Sequence, residues 1–253
     1  MTAEIKLRGA HFARLKDAYA SVGNRTWTEG DFLPQNLEIS RNLFTPESLL
    51  AHQPRPRKLE VYALLSGLPF QPDFTNTLVA VQRKIDAVLG ESLHYWVAPT
   101  NLGVEYCVFK WPTEAWNEAW RPPIEAALAA IRHPSFHFHI DGVQVNPDGC
   151  VVARGYDEDA ALFQIREQVK ADIHFLPTRQ SRWAHVPLGR ILEPLGFEKF
   201  TQLADLVSTL SNLTIATTEI DTIKFIHEQR WYMEERTTLA EYSLAAIPAG
   251  EQS

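Results

Sequence analysis

The sequence predicts an α+β fold in which helices cover the outer faces of one or two antiparallel sheets. Helical and extended patterns interleave along the chain, and several extended segments are joined by short turns instead of crossover helices. The turn at 146–149, Asn-Pro-Asp-Gly, lies between two apolar segments and predicts a hairpin. Short turns connect antiparallel strands, so a doubly wound parallel sheet is not expected.

Residues 1–57 are expected to form an N-terminal helical extension that packs on the main domain. Apolar side chains at helical spacing, among them Leu15 and Tyr19, predict an amphipathic helix over 4–21. Residues 22–57 contain scattered Gly and Pro and are expected to be irregular.

The main domain is expected to cover residues 58–245, with a loose tail at 246–253. Its strands are marked by short runs of β-branched and aromatic residues, and its helices by apolar residues three and four apart. The predicted strands cover residues 59–65, 93–97, 104–110, 136–145, 150–156, 183–191, 219–229 and 236–244. The predicted helices cover residues 73–89, 113–132, 157–173 and 197–210, with Thr113 and Asp157 as N-caps.

Charge and composition exclude several classes of function. The net charge is −7 and no long Lys/Arg run occurs, so binding to duplex nucleic acid is not expected. No apolar segment approaches the length of a membrane span, and the N-terminus lacks the pattern of a signal peptide, so a cytoplasmic protein is expected. Cys107 and Cys150 lie in apolar strands, which predicts buried free thiols.

Two segments contain the residues that indicate a functional site. Segment 99–106 is Pro-Thr-Asn-Leu-Gly-Val-Glu-Tyr, and segment 183–191 is Trp-Ala-His-Val-Pro-Leu-Gly-Arg-Ile. With the order of the elements, these segments resemble the two motifs of the two-histidine phosphoesterases, which include the bacterial RNA 2′,3′-cyclic phosphodiesterases, also called 2′-5′ RNA ligases. The resemblance covers roughly residues 58–245. It implies two lobes with helices on their outer faces and a central cleft, with one motif on each side.

Both motifs depart from the His-x-Thr-Leu pattern of that family. The second keeps its histidine, His185, and the following Leu-Gly-Arg, but Pro187 stands where the family has Thr or Ser. In the first, Gly103 stands in place of the histidine and Glu105 in place of the threonine. A frame shifted by two residues would instead put Glu105 at the histidine position and Cys107 at the threonine position. Both frames leave Glu105 on the cleft face.

The resemblance implies that His185 acts as acid or base, because an imidazole titrates near neutral pH. The second catalytic group would be Glu105, His139 or His137. The segment 136–140 alternates Phe-His-Phe-His-Ile, which predicts a half-buried strand with both histidines on one face. Two interpretations of this face remain: a displaced histidine cluster in the cleft, or a polar sheet surface.

Four further residues are candidates for substrate binding. Arg190 and Arg154 lie on strands near the predicted cleft and would hold a phosphate or form structural ion pairs. Trp231 and Tyr232, at the tip of the last hairpin, would stack on a base or cover the core.

Three hypotheses of function follow. The first is hydrolysis of a cyclic nucleotide or RNA-end phosphodiester through His185, with a small phosphorylated ligand or nucleotide as partner. No cofactor is implied, and no metal is predicted because a ligand-spaced signature such as His-Glu-x-x-His is missing. The second is a catalytically inactive module that binds a small ligand or a partner protein. The third is an enzyme that uses Glu105 and His185 on a non-phosphate substrate. The sequence makes no prediction of oligomeric state.

Overall fold

The computed structural model describes residues 3–157, 159–211 and 213–244, with side chains from residue 11 onward. In these ranges the helices are α1 (Ala3–Thr26), α2 (Pro34–Arg41), α3 (Pro46–Leu50), α4 (Pro72–Leu89), α5 (Arg121–Ala129), α6 (Ala161–Asp172) and α7 (Phe197–Leu210). The strands are β1 (Lys58–Gly67), β2 (His94–Trp96), β3 (Gly103–Lys110), β4 (Phe136–Val145), β5 (Cys150–Tyr156), β6 (Val186–Ile191), β7 (Thr214–Ile220), β8 (Thr222–Arg230) and β9 (Glu235–Ser243). The predicted tail at 246–253 lies outside the described residues.

The strands form two antiparallel sheets. One has the order β3-β1-β8-β9 and the other the order β2-β6-β5-β4-β7, and each neighbouring pair is antiparallel. The predicted turn at 146–149 joins β4 to β5, and the Asn146 N–H donates to the Cys150 carbonyl at 2.8 Å. The predicted α+β fold with two antiparallel sheets is confirmed.

Helices pack on both sheets. α4 and α7 pack on the five-stranded sheet, and α5 and α6 pack on the four-stranded sheet. On α4, the buried side chains of Leu78, Val81 and Ile85 recur every three or four residues, which gives the helix one apolar face. Across the part of the chain that the structure describes, no helix is both long enough and apolar enough to cross a membrane.

The N-terminal extension is more regular than the sequence predicts. α1 runs on to Thr26, and the segment expected to be irregular contains α2 and α3. Both short helices have a proline at the first helical position, where its fixed φ suits the helix and its missing N–H costs nothing. The prolines of this segment therefore include helix starts as well as breakers.

Two of the predicted helices begin later than expected. α5 starts at Arg121, not at Thr113, because the two prolines that follow Arg121 fit the first turn of a helix but not its interior. α6 starts at Ala161, although the Asp157 carboxylate still accepts the Ala161 N–H at 2.5 Å. The structure also adds a strand that the sequence analysis largely missed, β7, whose Thr-rich sequence pairs with β4.

The extension is anchored to the main domain through Tyr19. This fully buried side chain accepts the Ala184 N–H at 3.1 Å and donates to the Gly155 carbonyl at 3.4 Å. We expect Tyr19→Phe to lower the free energy of unfolding in urea by about 1–3 kcal/mol, because two buried backbone groups lose their partner. Tyr242→Phe is the control: this hydroxyl is half-buried, 3.3 Å from the Glu125 carbonyl, and water can replace it. Equal losses in the two variants would contradict the anchor.

Candidate functional site

A cavity of about 940 Å³ lies between the two sheets. The four-stranded sheet contributes Leu65, Gly103, Glu105 and Glu228 to its lining. The other sheet contributes Cys150, Pro187 and Arg190, with His185 directly before β6. β3 and β6 are neighbours across the junction of the sheets. Both motif segments therefore border one central cleft.

His185 presents an unpaired ring nitrogen. Its Nδ1 atom is buried and has no hydrogen-bond partner among the described residues. Burial, assisted by the nearby charges of Arg166 and Arg190, lowers the pKa of the imidazole to about 4. The ring is therefore neutral at physiological pH and can accept a proton.

Two carboxyl groups line the wall formed by the four-stranded sheet. Burial raises the pKa of Glu105, and the charges of Arg166 and Arg179 oppose that rise. Burial also raises the pKa of Glu228, to about 8, while the N–H of Met233, which donates to its Oε1 at 2.9 Å, acts in the opposite direction. Such carboxyls hold protons at a pH where exposed ones are ionised. Glu228 was not predicted from the sequence as a residue of the site.

The first motif leaves little room for a side chain in place of the missing histidine. A Cβ on Gly103 would lie 3.0 Å from the Ser66 carbonyl oxygen and 3.1 Å from the Leu68 side chain. In the second motif, Gly189 is required because a Cβ there would collide with the Tyr95 carbonyl of the neighbouring strand β2. The close packing around Gly103 thus disfavours a side chain at the position where the family has its histidine.

Arg190 is engaged by the protein itself. Its Nε donates to the Tyr232 hydroxyl at 2.6 Å, and its Nη1 donates to the Ser40 hydroxyl at 2.9 Å and to Asp148 Oδ2 at 2.7 Å. Of the two predicted roles, the structure supports the ion pair. Tyr232 is fixed by this bond and by the Phe44 ring, with centroids 6.1 Å apart.

At the hairpin tip, Trp231 borders the cavity as well as packing on a small apolar cluster. That cluster includes Leu65, which also lines the cavity. Both interpretations made from the sequence therefore hold for Trp231, because it borders the cleft and also covers part of the core.

His137, His139 and Arg154 do not line this cavity, so the interpretation of the histidine face as a cluster in the cleft is not supported, and Arg154 is not at the cleft as predicted. The histidines do face away from α4 and α7, as the alternation predicts, but α1 crosses that part of the sheet. The Phe12 ring of α1 lies 6.2 Å from the His139 ring, whereas His137 is exposed. Arg154 instead donates to the backbone carbonyls of Asp141 and Ser211.

Two arginines that the sequence analysis did not select border the cavity. Arg179 and Arg182 lie in the segment between α6 and β6, and both are exposed. The Arg179 guanidinium stacks on the Trp111 ring, 4.8 Å from its centroid. No described residue forms a hydrogen bond or ion pair with the Arg182 side chain. The segment has no periodic pattern, so only the fold brings these charges to the cleft.

Within the described residues, no group of three or more His, Cys, Asp or Glu side chains is arranged to hold a metal ion. Cys107 and Cys150 are both free and buried, as predicted from their apolar strands.

The fold is similar to that of LigT and of a solved phosphoesterase structure. The structure of Escherichia coli LigT with 3′-AMP matches with 13% identity over 74% of this chain and 99% of that chain, at a TM-score of 0.51. LigT with phosphate matches with 13% identity over 75% and 99%, at 0.50. TT0787 of Thermus thermophilus matches with 16% identity over 74% and 98%, at 0.51.

No protein-family model and no curated protein matches the sequence. The structural likeness confirms the two-lobed fold that the motif resemblance implied. At these identities the likeness concerns the fold and leaves the chemistry to the residues of this chain.

Proposed function

We propose that the cleft hydrolyses a phosphodiester of a nucleotide or an RNA end, with His185 and Glu105 as the acid–base pair. The observation that carries this proposal is that a neutral, unpaired imidazole and a carboxyl group with a raised pKa line the same cavity. These two groups differ in the direction of their pKa shifts, which is how two titratable groups divide the roles of base and acid.

His185 is the base in this scheme. It removes a proton from the attacking water as the water oxygen bonds to phosphorus. Glu105 gives its proton to the ester oxygen as the bond from that oxygen to phosphorus breaks. A cyclic phosphate thereby becomes a monoester, and solvent returns the two groups to their starting protonation states.

Protonation of the two carboxyl groups also removes the electrostatic repulsion that a phosphate would otherwise meet in the cleft. Ionised Glu105 and Glu228 would repel a phosphate, whereas protonated carboxyls donate hydrogen bonds to its oxygens. Burial, which raises the pKa of both groups, supports this role.

The nucleotide class is supported by two observations. Solved LigT structures with the same fold contain phosphate, ATP, 3′-AMP and NADP+. In this chain the cavity is bordered by Trp111, Trp183 and Trp231, whose rings suit stacking on a planar base.

The anion is held by Arg179 and Arg182, since Arg190 is already engaged. We expect Arg179→Gln and Arg182→Gln each to raise KM about tenfold with kcat nearly unchanged, because each removes a charge that binds ground state and transition state alike. Arg132→Gln, an exposed arginine whose Nη1 donates to the Ala129 carbonyl at 2.7 Å, is the control. Unchanged KM in both variants would remove these residues from the site.

The experiment that tests the function is a turnover assay on 2′,3′-cyclic nucleotides and 2′-5′-linked dinucleotides. Turnover by the wild type that is lost with His185 supports the proposal. Absence of turnover on the whole panel by folded protein rejects it.

A second function, binding without turnover, is favoured by one feature. Gly103 and Pro187 offer neither a proton nor a hydroxyl where the family motifs carry them, so the cleft keeps the shape of the site with fewer reacting groups. Calorimetric titration with 3′-AMP and with inorganic phosphate distinguishes the two functions. Binding of 3′-AMP without turnover of any substrate supports the second.

A further inference from the structure

One buried guanidinium joins the two walls of the cleft. Arg166 on α6 is 2% exposed and does not line the cavity. Its Nη2 donates both to the Glu105 carbonyl at 2.6 Å and to the Trp183 carbonyl at 2.5 Å. Its Nε donates to the Tyr106 carbonyl at 2.7 Å. A single nitrogen thus holds the main chain at Glu105 and the main chain two residues before His185.

The burial of this charge is unusual. An arginine is rarely buried without a paired carboxylate, because removal of its charge from water is costly. No carboxylate within the described residues forms an ion pair with Arg166, and its Nη1 has no hydrogen-bond partner there. Three backbone carbonyls hold it instead, and the guanidinium lies over the Phe163 ring, 4.7 Å from its centroid. Such an arrangement costs folding energy, so a structural role alone accounts for it poorly.

We propose that Arg166 is the positioning residue of the cleft, fixing the separation and orientation of Glu105 and His185 through the carbonyl oxygens it bridges. This inference rests on the proposed function for its catalytic consequence, but not for its geometry. Rigid placement of two reacting groups is worth large rate factors, since small displacements of an acid or base cost much of their effect.

The charge of Arg166 also acts on both groups. For His185 the facing charges are Arg166 from α6, Arg190 from β6 and Asp148 from the β4–β5 turn. The two arginines favour the neutral imidazole, and Asp148 opposes them. For Glu105 the facing arginines are Arg166 and Arg179, both of which favour the carboxylate. Glu228 of β8 also faces Glu105, and charge on one of these carboxyls disfavours charge on the other. Arg166 is therefore the charge common to both.

The test compares Arg166→Met, Arg166→Lys and the wild type. The matched control is Arg154→Met, because Arg154 also donates to two backbone carbonyls but lies outside the cavity. The His185 titration is followed by NMR on protein with isotope-labelled histidine, and kcat and KM are measured on the best substrate of the panel.

In Arg166→Met the midpoint of the His185 titration should move to higher pH by roughly one pH unit, since a nearby positive charge is lost. In Arg166→Lys the charge remains but the bridging geometry does not. The midpoint should then stay near that of the wild type, while kcat falls at least about tenfold with KM within about twofold. Arg154→Met should change neither quantity.

The inference would be overturned if the His185 titration in folded Arg166→Met kept the wild-type midpoint. It would also be overturned if Arg166→Lys kept the wild-type kcat. Should the wild type turn over no substrate, the proposed function fails, whereas the titration still decides the role of Arg166. Should both variants fail to fold, exchange of the Arg166 Nε–H with solvent in the wild type decides it. Exchange as slow as that of core amides is expected, and exchange as fast as that of a surface arginine would overturn it.

Discussion

Replacement of His185 by Ala is expected to lower kcat for phosphodiester hydrolysis by roughly 10²–10⁴-fold, the usual contribution of a general base. The imidazole is neutral at pH 7 because burial holds its pKa at about 4, and its Nδ1 has no partner among the described residues that would compete for a proton. KM should change little, because His185 carries no charge for the substrate to bind at that pH.

The pH profile identifies the two groups. Activity should fall on the acid side only as His185 becomes protonated, near pH 4, which is well below the usual range of a histidine. On the basic side activity should fall as Glu105 loses its proton, at a pH above the ordinary value of a glutamate because burial raises its pKa. Glu105→Gln should lower kcat, and the basic limb that remains should follow the ionisation of Glu228, near pH 8.

The control is His137→Ala, an exposed histidine of the same lobe that does not line the cavity. Its kcat should match that of the wild type. If His185→Ala kept more than about half of the wild-type kcat, the assignment of the base would be wrong.

The fold could be predicted because the sequence patterns that indicate its helices, strands and turns are local. The apolar stripe of α4 and the alternation in β4 each determine which face of an element is buried, and the turn at 146–149 determines the pairing of β4 with β5. The helices α2 and α3 were missed because a proline at a helix start and a proline in a loop give the same local signal.

Residues of the site could be predicted only where the alternation of side chains along a strand shows which of them face the cleft. Glu105 and His185 lie on or beside strands that border it, and both reach it as expected. For Arg190 the sequence left two roles open, and its partners Ser40 and Asp148, which support the ion pair, come from distant parts of the chain that no local pattern relates to it. The choice between the two interpretations of His139 likewise depends on distant residues, since α1 packs on its face of the sheet.

Glu228 provides the largest expected effect on stability. In the folded protein its pKa is raised to about 8, chiefly by burial, whereas in the unfolded chain it is about 4.3. Between these values the unfolded state releases the proton and the folded state retains it. The contribution of Glu228 to stability is therefore fully present below about pH 4 and is lost as the pH rises toward 8.

Glu228→Gln should remove this loss, because an amide cannot ionise. Its carbonyl can still accept the Met233 N–H and hold the turn at which Tyr232 and Met233 adopt φ values of 63° and 59°. Near pH 4 the variant and the wild type should have similar free energies of unfolding. At pH 8 the variant should be more stable by on the order of 2–4 kcal/mol.

Urea unfolding at pH 4, 6 and 8 measures the difference, with Glu241→Gln, an exposed carboxyl of β9, as the control that should show no such trend. A Glu228→Gln advantage that did not grow with pH would mean that Glu228 is ionised in the folded protein. The wall of the cleft would then be negatively charged, and a phosphate would need Arg179 and Arg182 to offset that charge before it could bind. The stability measurement thus also tests, without any substrate, whether this cleft can admit an anion.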